Sequence, residues 1–471
     1  MAPRIGLVGA SALVVVGAGA TSASLAGIGA GSPWESTARV AVSLGVSLAL
    51  AMALTELAAA MPLAGGPYAW TRRAFGGGWG FQVAWWRIIA AVADAALTVS
   101  VAGAIIAPRV AMAIGGPADW TSGAQLVSST AVVLVVSLVV GVWPPTAWWL
   151  AVTGAFALVL AALVGTMVEG AVATMEALAS TSAAGGTTGV AGLLAGAWAF
   201  SAWDSLAPAM GEVREPRKVV PRAMVVAFAI VAALLLLPLF QFMVGRPGIP
   251  TWIADEIARD ILEVGLVAAL AGRCAACLLV AGHLVSSLAE DRYFTHLLAR
   301  TPGGAIRRWV VVAFGAATMA VILVPIGDRV VILGVTWGAA MFGQLVALVV
   351  LRAREPAIVR PYLVPGGLTG VGLCAAVPLA WFGVTAAGAL HSLGFASLAV
   401  AGGCVASAPV AWVGLTILVK RGRPNRAIAV EFASRAYDAT WAGTLEVRRL
   451  REGGPAFAER LAAVVPTTRP A

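Results

Sequence analysis

Charge is what this sequence has least of. Only 11% of its 471 residues are Asp, Glu, Lys or Arg and 60% are hydrophobic, whereas ordinary soluble domains carry about 25% charge. A soluble globular fold is therefore excluded. Four cysteines and three histidines are also too few for a disulfide-built or metal-built scaffold. Cys274, Cys277, Cys374 and Cys404 all fall inside apolar runs, and His283, His296 and His391 are scattered, so neither a disulfide framework nor a zinc site is indicated. Cys274-x-x-Cys277 matches a redox pair in letters only; on a membrane helix it reads as two small wall residues. Gly17-x-Gly19 and the run Gly76 to Gly78 do not follow a strand, which excludes a dinucleotide-binding reading.

What is present is a series of long apolar runs. A spanning helix needs about 20 such residues, and the sequence predicts about twelve: 6–30, 38–62, 80–113, 124–143, 146–169, 188–212, 221–245, 261–290, 307–326, 329–352, 368–391 and 394–419. The fold class is all-α and polytopic. Little chain remains for a further domain apart from a charged tail over 420–471, which supplies about half of the net charge of +9. The stretch 5–28 resembles a secretory signal at first sight, but it is too long and heads a series of similar spans. Nucleic acid is not an expected partner; membrane lipid is.

Arg72 and Arg73, then Arg214, Arg217, Lys218 and Arg222, then Arg292, Arg300, Arg307 and Arg308, then Arg352, Arg354 and Arg360 fall in alternate connections. The opposite connections are acidic or mixed, with Glu35, Asp119, Glu169, Glu176, Asp255, Glu256, Asp260 and Glu263. The positive-inside bias then predicts cytoplasmic N- and C-termini in a plasma-membrane protein. Between the second and third spans, Trp70, Phe75 and Trp79 among Arg72 and Arg73 predict a short segment lying at the inner interface.

Two spans differ from the rest. The first carries Gly17-Ala18-Gly19-Ala20-Thr21-Ser22-Ala23 and the sixth carries Ser201-Ala202-Trp203-Asp204-Ser205 ahead of Pro208. Small hydroxyl residues, glycine and a charge at mid-span favour an open helix, tolerable in lipid only where it lines a wet cavity. Two such breaks five helices apart are the signature of an inverted repeat around a central site; the competing reading is two kinked helices packing through small residues. Intramembrane charges point to function by default, and the candidates are Arg87 and Asp94 in the third span, Asp204 in the sixth and Arg273 in the eighth. Glu56, Glu212, Glu290 and Asp291 lie nearer the inner ends. Arg87 and Asp94 share a helix face but stand about 10 Å apart along the axis at 1.5 Å per residue, so Arg87 needs another partner. Asp204 is chosen; the alternative is an Arg87 that snorkels to an interface while Asp204 accepts backbone N–H groups.

These residues resemble the amino acid-polyamine-organocation superfamily of secondary transporters. Glu56-Leu57 through Pro62, Gly65-Gly66-Pro67-Tyr68-Ala69-Trp70 and Phe75-Gly76 resemble the family's second-helix ending and inner loop. Trp198 to Ser205 is similar to its W-A-F-x-G-(F/V)-E-S stretch, Glu212-Val213-Arg214-Glu215-Pro216 with Pro221 to its sixth-helix exit, and Ala289-Glu290-Asp291 before Phe294 to its eighth-helix ending. Arg360-Pro361-Tyr362-Leu363-Val364-Pro365-Gly366 is similar to its R-P-(Y/F)-x-V-P-G loop. The resemblance implies a five-plus-five inverted repeat, about 6–169 and 188–352, with two extra helices over 368–419 and solute held at the two breaks.

By that resemblance the solute contacts are Ala20, Thr21, Ser22 and Ala23 in the first span, Trp198, Ser201, Ala202 and Trp203 in the sixth and Cys277 in the eighth. Arg87, Asp94, Asp204 and Arg273 are the gating or coupling groups. Thr21, Ala23 and Ala202 depart from the family's glycines, which narrows backbone approach, and a fifth-helix lysine that couples protons in some members is Phe156. The expected partner is a small amino-acid-like solute, with no cofactor or metal, and a homodimer is left open. The leading expectation is alternating-access transport. A solute sensor of the same fold that binds without moving its ligand is the alternative, and a membrane enzyme is disfavoured because no catalytic cluster converges at one depth.

Overall fold

A computed structural model describes residues 5–19, 33–113, 121–142, 146–165, 203–244, 251–301 and 306–420. They form eleven α-helices: α1 Leu7–Gly19, α2 Pro33–Ala60, α3 Gly66–Phe75, α4 Gly77–Ala113, α5 Thr121–Val142, α6 Thr146–Gly165, α7 Pro216–Val244, α8 Thr251–Glu290, α9 Arg308–Ile322, α10 Ile326–Arg354 and α11 Gly367–Leu415. Within them, eight stretches are long and apolar enough to cross a membrane, and three shorter apolar helices cover Leu7–Ala18, Trp148–Ala161 and Arg308–Ile322. Each expected span except the sixth overlaps one of these stretches; the first part of the sixth and residues 20–30 of the first lie outside the described residues. Where the sequence predicts two final spans, α11 is one continuous helix of 49 residues. No proline or paired glycine interrupts the stretch around His391, so nothing local forces a turn between its two apolar halves.

The helices bury small and branched side chains against one another and leave large apolar ones outside. α8 packs chiefly on α6 and α4, α4 also on α5 and α10, and α1 and α2 on α7. Phe156 on α6 and Phe395 and Val410 on α11 are exposed, as expected of surfaces that meet acyl chains rather than water.

α3 shows how the sequence shapes a connection. Gly65 begins it with φ +85°, a left-handed conformation that L side chains rarely adopt, and Pro67 suits the first turn because its missing N–H would be unbonded there. Tyr68, Trp70 and Thr71 turn inward, with the Trp70 indole donating to the Met61 carbonyl at 2.9 Å. Arg72 and Arg73 are half-buried and paired: Arg72 with Asp291, and Arg73 with Glu355 at 2.6 Å. The amphiphilic segment is therefore a docked helix that ties the end of α8 to the end of α10.

Candidate functional site

The end of the expected sixth span is not α-helical. Residues 203–206 are turns and Ala207–Glu212 is a 3-10 helix, yet Trp203, Asp204, Ser205 and Leu206 are all buried. Non-helical backbone at such burial keeps its polar groups satisfied only by neighbouring protein or a cavity. Here the Ser205 hydroxyl donates to the Leu13 carbonyl of α1 at 3.4 Å, and Gly65 N–H donates to the Pro208 carbonyl at 3.0 Å. Gly66 packs so tightly on this segment that a Cβ would stand 2.6 Å from the Ala207 carbonyl oxygen.

Asp204, in this irregular segment, faces α4. Arg87 Nε donates to its Oδ2 at 2.8 Å, and both side chains are almost wholly buried. Gln344 Nε2 of α10 donates to the same oxygen at 3.2 Å. The second charge cluster lies two turns along α4. Asp94 accepts from Arg273 Nε at 3.0 Å and from its second terminal nitrogen at 3.0 Å, and Arg273 also donates to the Gly17 carbonyl of α1. Thr98 donates to Asp94 at 3.4 Å. Arg87 and Asp94 thus do not pair with each other, and each carries a partner from another element. Arg87 stands about 10 Å from Asp94 toward the N-terminal end of α4.

Cys277 lies one turn from Arg273 on α8 and is buried; it and the other three cysteines are unbridged. Ala20, Thr21, Ser22, Ala23, Trp198, Ser201 and Ala202 lie outside the described residues. Phe156 points outward and is exposed, away from both clusters.

Two groups emerge that the sequence did not single out, Gln344 and Arg329, and the acids expected near the inner ends find partners. Gln344 could have been found as an amide in the middle of an apolar run. Arg329 looked like a flanking arginine because the tenth span was taken to begin there, but it is buried. Glu212, Trp148 and His283 converge at the N-terminal end of α1. The Trp148 indole donates to Glu212 Oε2 at 3.1 Å, His283 Nε2 stands 3.5 Å from Oε1, and the Glu212 carbonyl accepts from Ile5 N–H at 3.0 Å while Arg214 N–H returns a bond to the Ile5 carbonyl at 2.8 Å. The 3.5 Å approach is an ion-pair distance but too long for a hydrogen bond. On the same face, buried Glu56 meets Arg352 at 2.5 Å and Arg360 at 3.3 Å, and accepts Val364 N–H at 2.8 Å. Asp291 accepts from Tyr68 and Arg72, and Arg300 pairs with Glu290 at 2.7 Å. The beginning of α1, the 203–212 segment and the end of α8 are therefore pinned together on the arginine-bearing face. On the opposite face, α4 and α8 meet through Arg109 with Asp260 and Glu263.

The amino acid permease family model matches residues 5–404. The chain belongs to that family. It is accordingly a multi-pass membrane transporter with a small-molecule substrate. No curated protein sequence matches it. Similar solved structures include three forms of the manganese transporter of Eremococcus coleocola: a histidine-to-alanine variant with TM-score 0.51, a glutamate-to-glutamine variant with TM-score 0.50, and the complex with an aromatic bis-isothiourea compound, also 0.50. Each is 16% identical, and each alignment covers 88% of this chain and 93% of the other. The likeness establishes a shared fold.

Proposed function

We propose that this permease is a secondary transporter that moves a small amino-acid-like solute by alternating access, with the solute held between the first and sixth spans. The observation that carries the reading is the buried, non-α-helical segment 203–212 whose Asp204 is gripped by Arg87 from the neighbouring α4. A broken element at membrane depth, tied by charge to a helix outside it, is what a gate around a central pocket requires. Arg87 and Asp204 act as the gate pair, while Arg273 and Asp94 hold the carbonyl end of α1. The alternating arginine distribution supports an N-terminus and a charged C-terminal tail on the cytoplasmic side of the plasma membrane, and the pinned face is then the inner gate in its closed state. An organic solute is favoured over a metal ion because the buried carboxylates of Asp204 and Asp94 are both engaged by guanidinium groups, which a metal ion would have to displace.

Uptake or exchange of radiolabelled amino acids and their decarboxylated amines into proteoliposomes tests the reading. Saturable flux of at least one solute, lost in Asp204→Asn, is expected. A solute that binds the purified protein saturably but shows no flux in either direction would leave the sensor reading in its place.

A further inference from the structure

Arg329 is a buried cation that the pocket's own charge pairs do not neutralise. It has 6% of its surface exposed. Asp204 is engaged by Arg87 and Asp94 by Arg273, so neither aspartate is left for Arg329. Among the described residues no carboxylate stands within ion-pair distance of Arg329. One terminal nitrogen donates to the Ser100 hydroxyl at 2.6 Å and to the Ala96 carbonyl at 3.2 Å, and Nε has no hydrogen-bond partner. Its neighbour Asp328 is turned away onto the Ser397 hydroxyl at 2.5 Å.

Depth gives this excess charge a place. Arg329 is the fourth residue of α10, at the end of that helix opposite Arg352 and Arg354, and its partners Ala96 and Ser100 lie beyond Asp94 on α4, so on the proposed orientation the guanidinium sits on the outer side of the Asp94–Arg273 pair. An unbalanced charge there is costly in a low-dielectric surround, and the Ser100 and Ala96 oxygens are neutral dipoles that only partly offset it.

We propose that Arg329 is an anion-recognition residue of the solute pathway, taking a monovalent anion: a carboxylate carried by the solute, or free chloride that travels or stays with it. This rests on the transport reading and adds a substrate class to it. Arg329 supplies the attraction through its free Nε edge. Ser100 and Ala96 position it.

The test is thermal unfolding of the purified full chain in a chloride-free buffer whose anion is the bulky sulfonate HEPES, titrated with glutamate against glutamine, aspartate against asparagine, and potassium chloride. Wild type, Arg329→Lys and Arg329→Gln are compared. If the solute brings the anion, an acid stabilises wild type and Arg329→Lys with an apparent affinity at least tenfold tighter than its amide, and Arg329→Gln loses the preference. If chloride is the anion, chloride alone stabilises wild type, the acids match their amides, and Arg329→Gln loses the chloride response. Without added anion, Arg329→Gln melts at or above the wild-type temperature, since it removes an uncompensated charge. Indifference of wild type to every anion, or a preference that survives in Arg329→Gln, overturns the proposal; the wild-type titration decides even if the variant fails to fold. Proteoliposome flux of the same compounds separates the two readings: anion-dependent stabilisation without flux sinks transport and leaves the anion site, whereas flux indifferent to anions does the reverse.

Discussion

Replacing Asp204 with Asn removes one negative charge and almost no volume. Arg87 would keep an acceptor oxygen at about the same place, and Gln344 its neighbour, but the guanidinium would be left charged with its carboxylate gone from 2.8 Å. Both side chains are essentially out of contact with solvent, so screening is small and the loss falls in the range of about 3–5 kcal/mol typical of stranding one member of a buried pair. If the pair exists only while the gate is closed, that energy comes out of the gate equilibrium. At 1.36 kcal/mol per tenfold, even the lower figure moves the open-to-closed ratio by about a hundredfold, and flux limited by reclosing falls by a similar factor. Initial-rate flux in proteoliposomes, normalised to reconstituted protein, reads the effect. The unfolding temperature of the same sample reports how much of the loss is stability. The companion variant Arg87→Gln with Asp204→Asn removes both charges and is expected to melt above either single variant, because replacing both members of a buried pair is far less damaging than removing one. Wild-type flux in Asp204→Asn at every pH, or strictly additive melting shifts in the double variant, would show that the pair has no gating role.

The other expectations concern the neighbouring contacts. Arg273→Ala strands Asp94 and empties the position against the Gly17 carbonyl; flux is expected to collapse and to recover partly with low-millimolar guanidinium ion outside, and wild-type-like flux without rescue refutes the role given to Arg273. Gly66→Ala brings a Cβ to 2.6 Å from the Ala207 carbonyl, a backbone atom that no rotamer change can move, so a loss of about 1–3 kcal/mol should appear as a lower unfolding temperature; an unchanged one contradicts the tight packing of α3 on the 203–212 segment. Burial, followed by the charge of Asp291, pushes the Tyr68 phenol well above its usual value near 10. The folded chain then keeps a proton that the unfolded chain loses, so stability falls as pH rises beyond 10. Tyr68→Phe should flatten that alkaline decline, measured as unfolding temperature against pH, and an identical decline in both proteins would count against it.

Hydropathy alone located the membrane helices because apolar run length is a one-dimensional property. The break at 203–212 was legible for the same reason: Trp203, Asp204, Ser205 and Pro208 disturb a pattern that is otherwise uniform. Partner choice was harder, since a sequence gives the depth of a charge along a helix and not the direction of its neighbours. Arg87 and Asp94 could be kept apart from spacing, but Arg273 had no assigned partner until α8 was seen to pack on α4. Gln344 was hidden because a neutral amide in an apolar run does not register as a charge, and Arg329 because a span boundary was drawn through it. At α11 both expected final spans are found, Gly367–Val384 and Phe395–Val419, along one run of helix because the local residues between them contain nothing that ends it.

The two buried aspartates differ in what they join. Asp94 and Arg273 link α4 to α8, helices that pack closely on each other, through two bonds of 3.0 Å. Asp204 belongs to the irregular segment, which is fastened to α1 through Ser205 near its middle and through the Ile5 to Glu212 and Arg214 bonds at its end. On the proposed reading, moving α1 and the 203–212 segment together leaves the bidentate pair intact and disturbs the Arg87, Gln344 and Arg273 contacts that reach across to them, Glu212 against His283 and Trp148, and the packing of Gly65 and Gly66 on Ala207 and Pro208. On that reading α4 and α8 stay fixed by a pair that is expensive to separate, and α1 and the 203–212 segment move as one body against them. A Cys pair placed at positions 5 and 213 should then cross-link without abolishing flux, whereas one that joins position 87 to position 204 should arrest it.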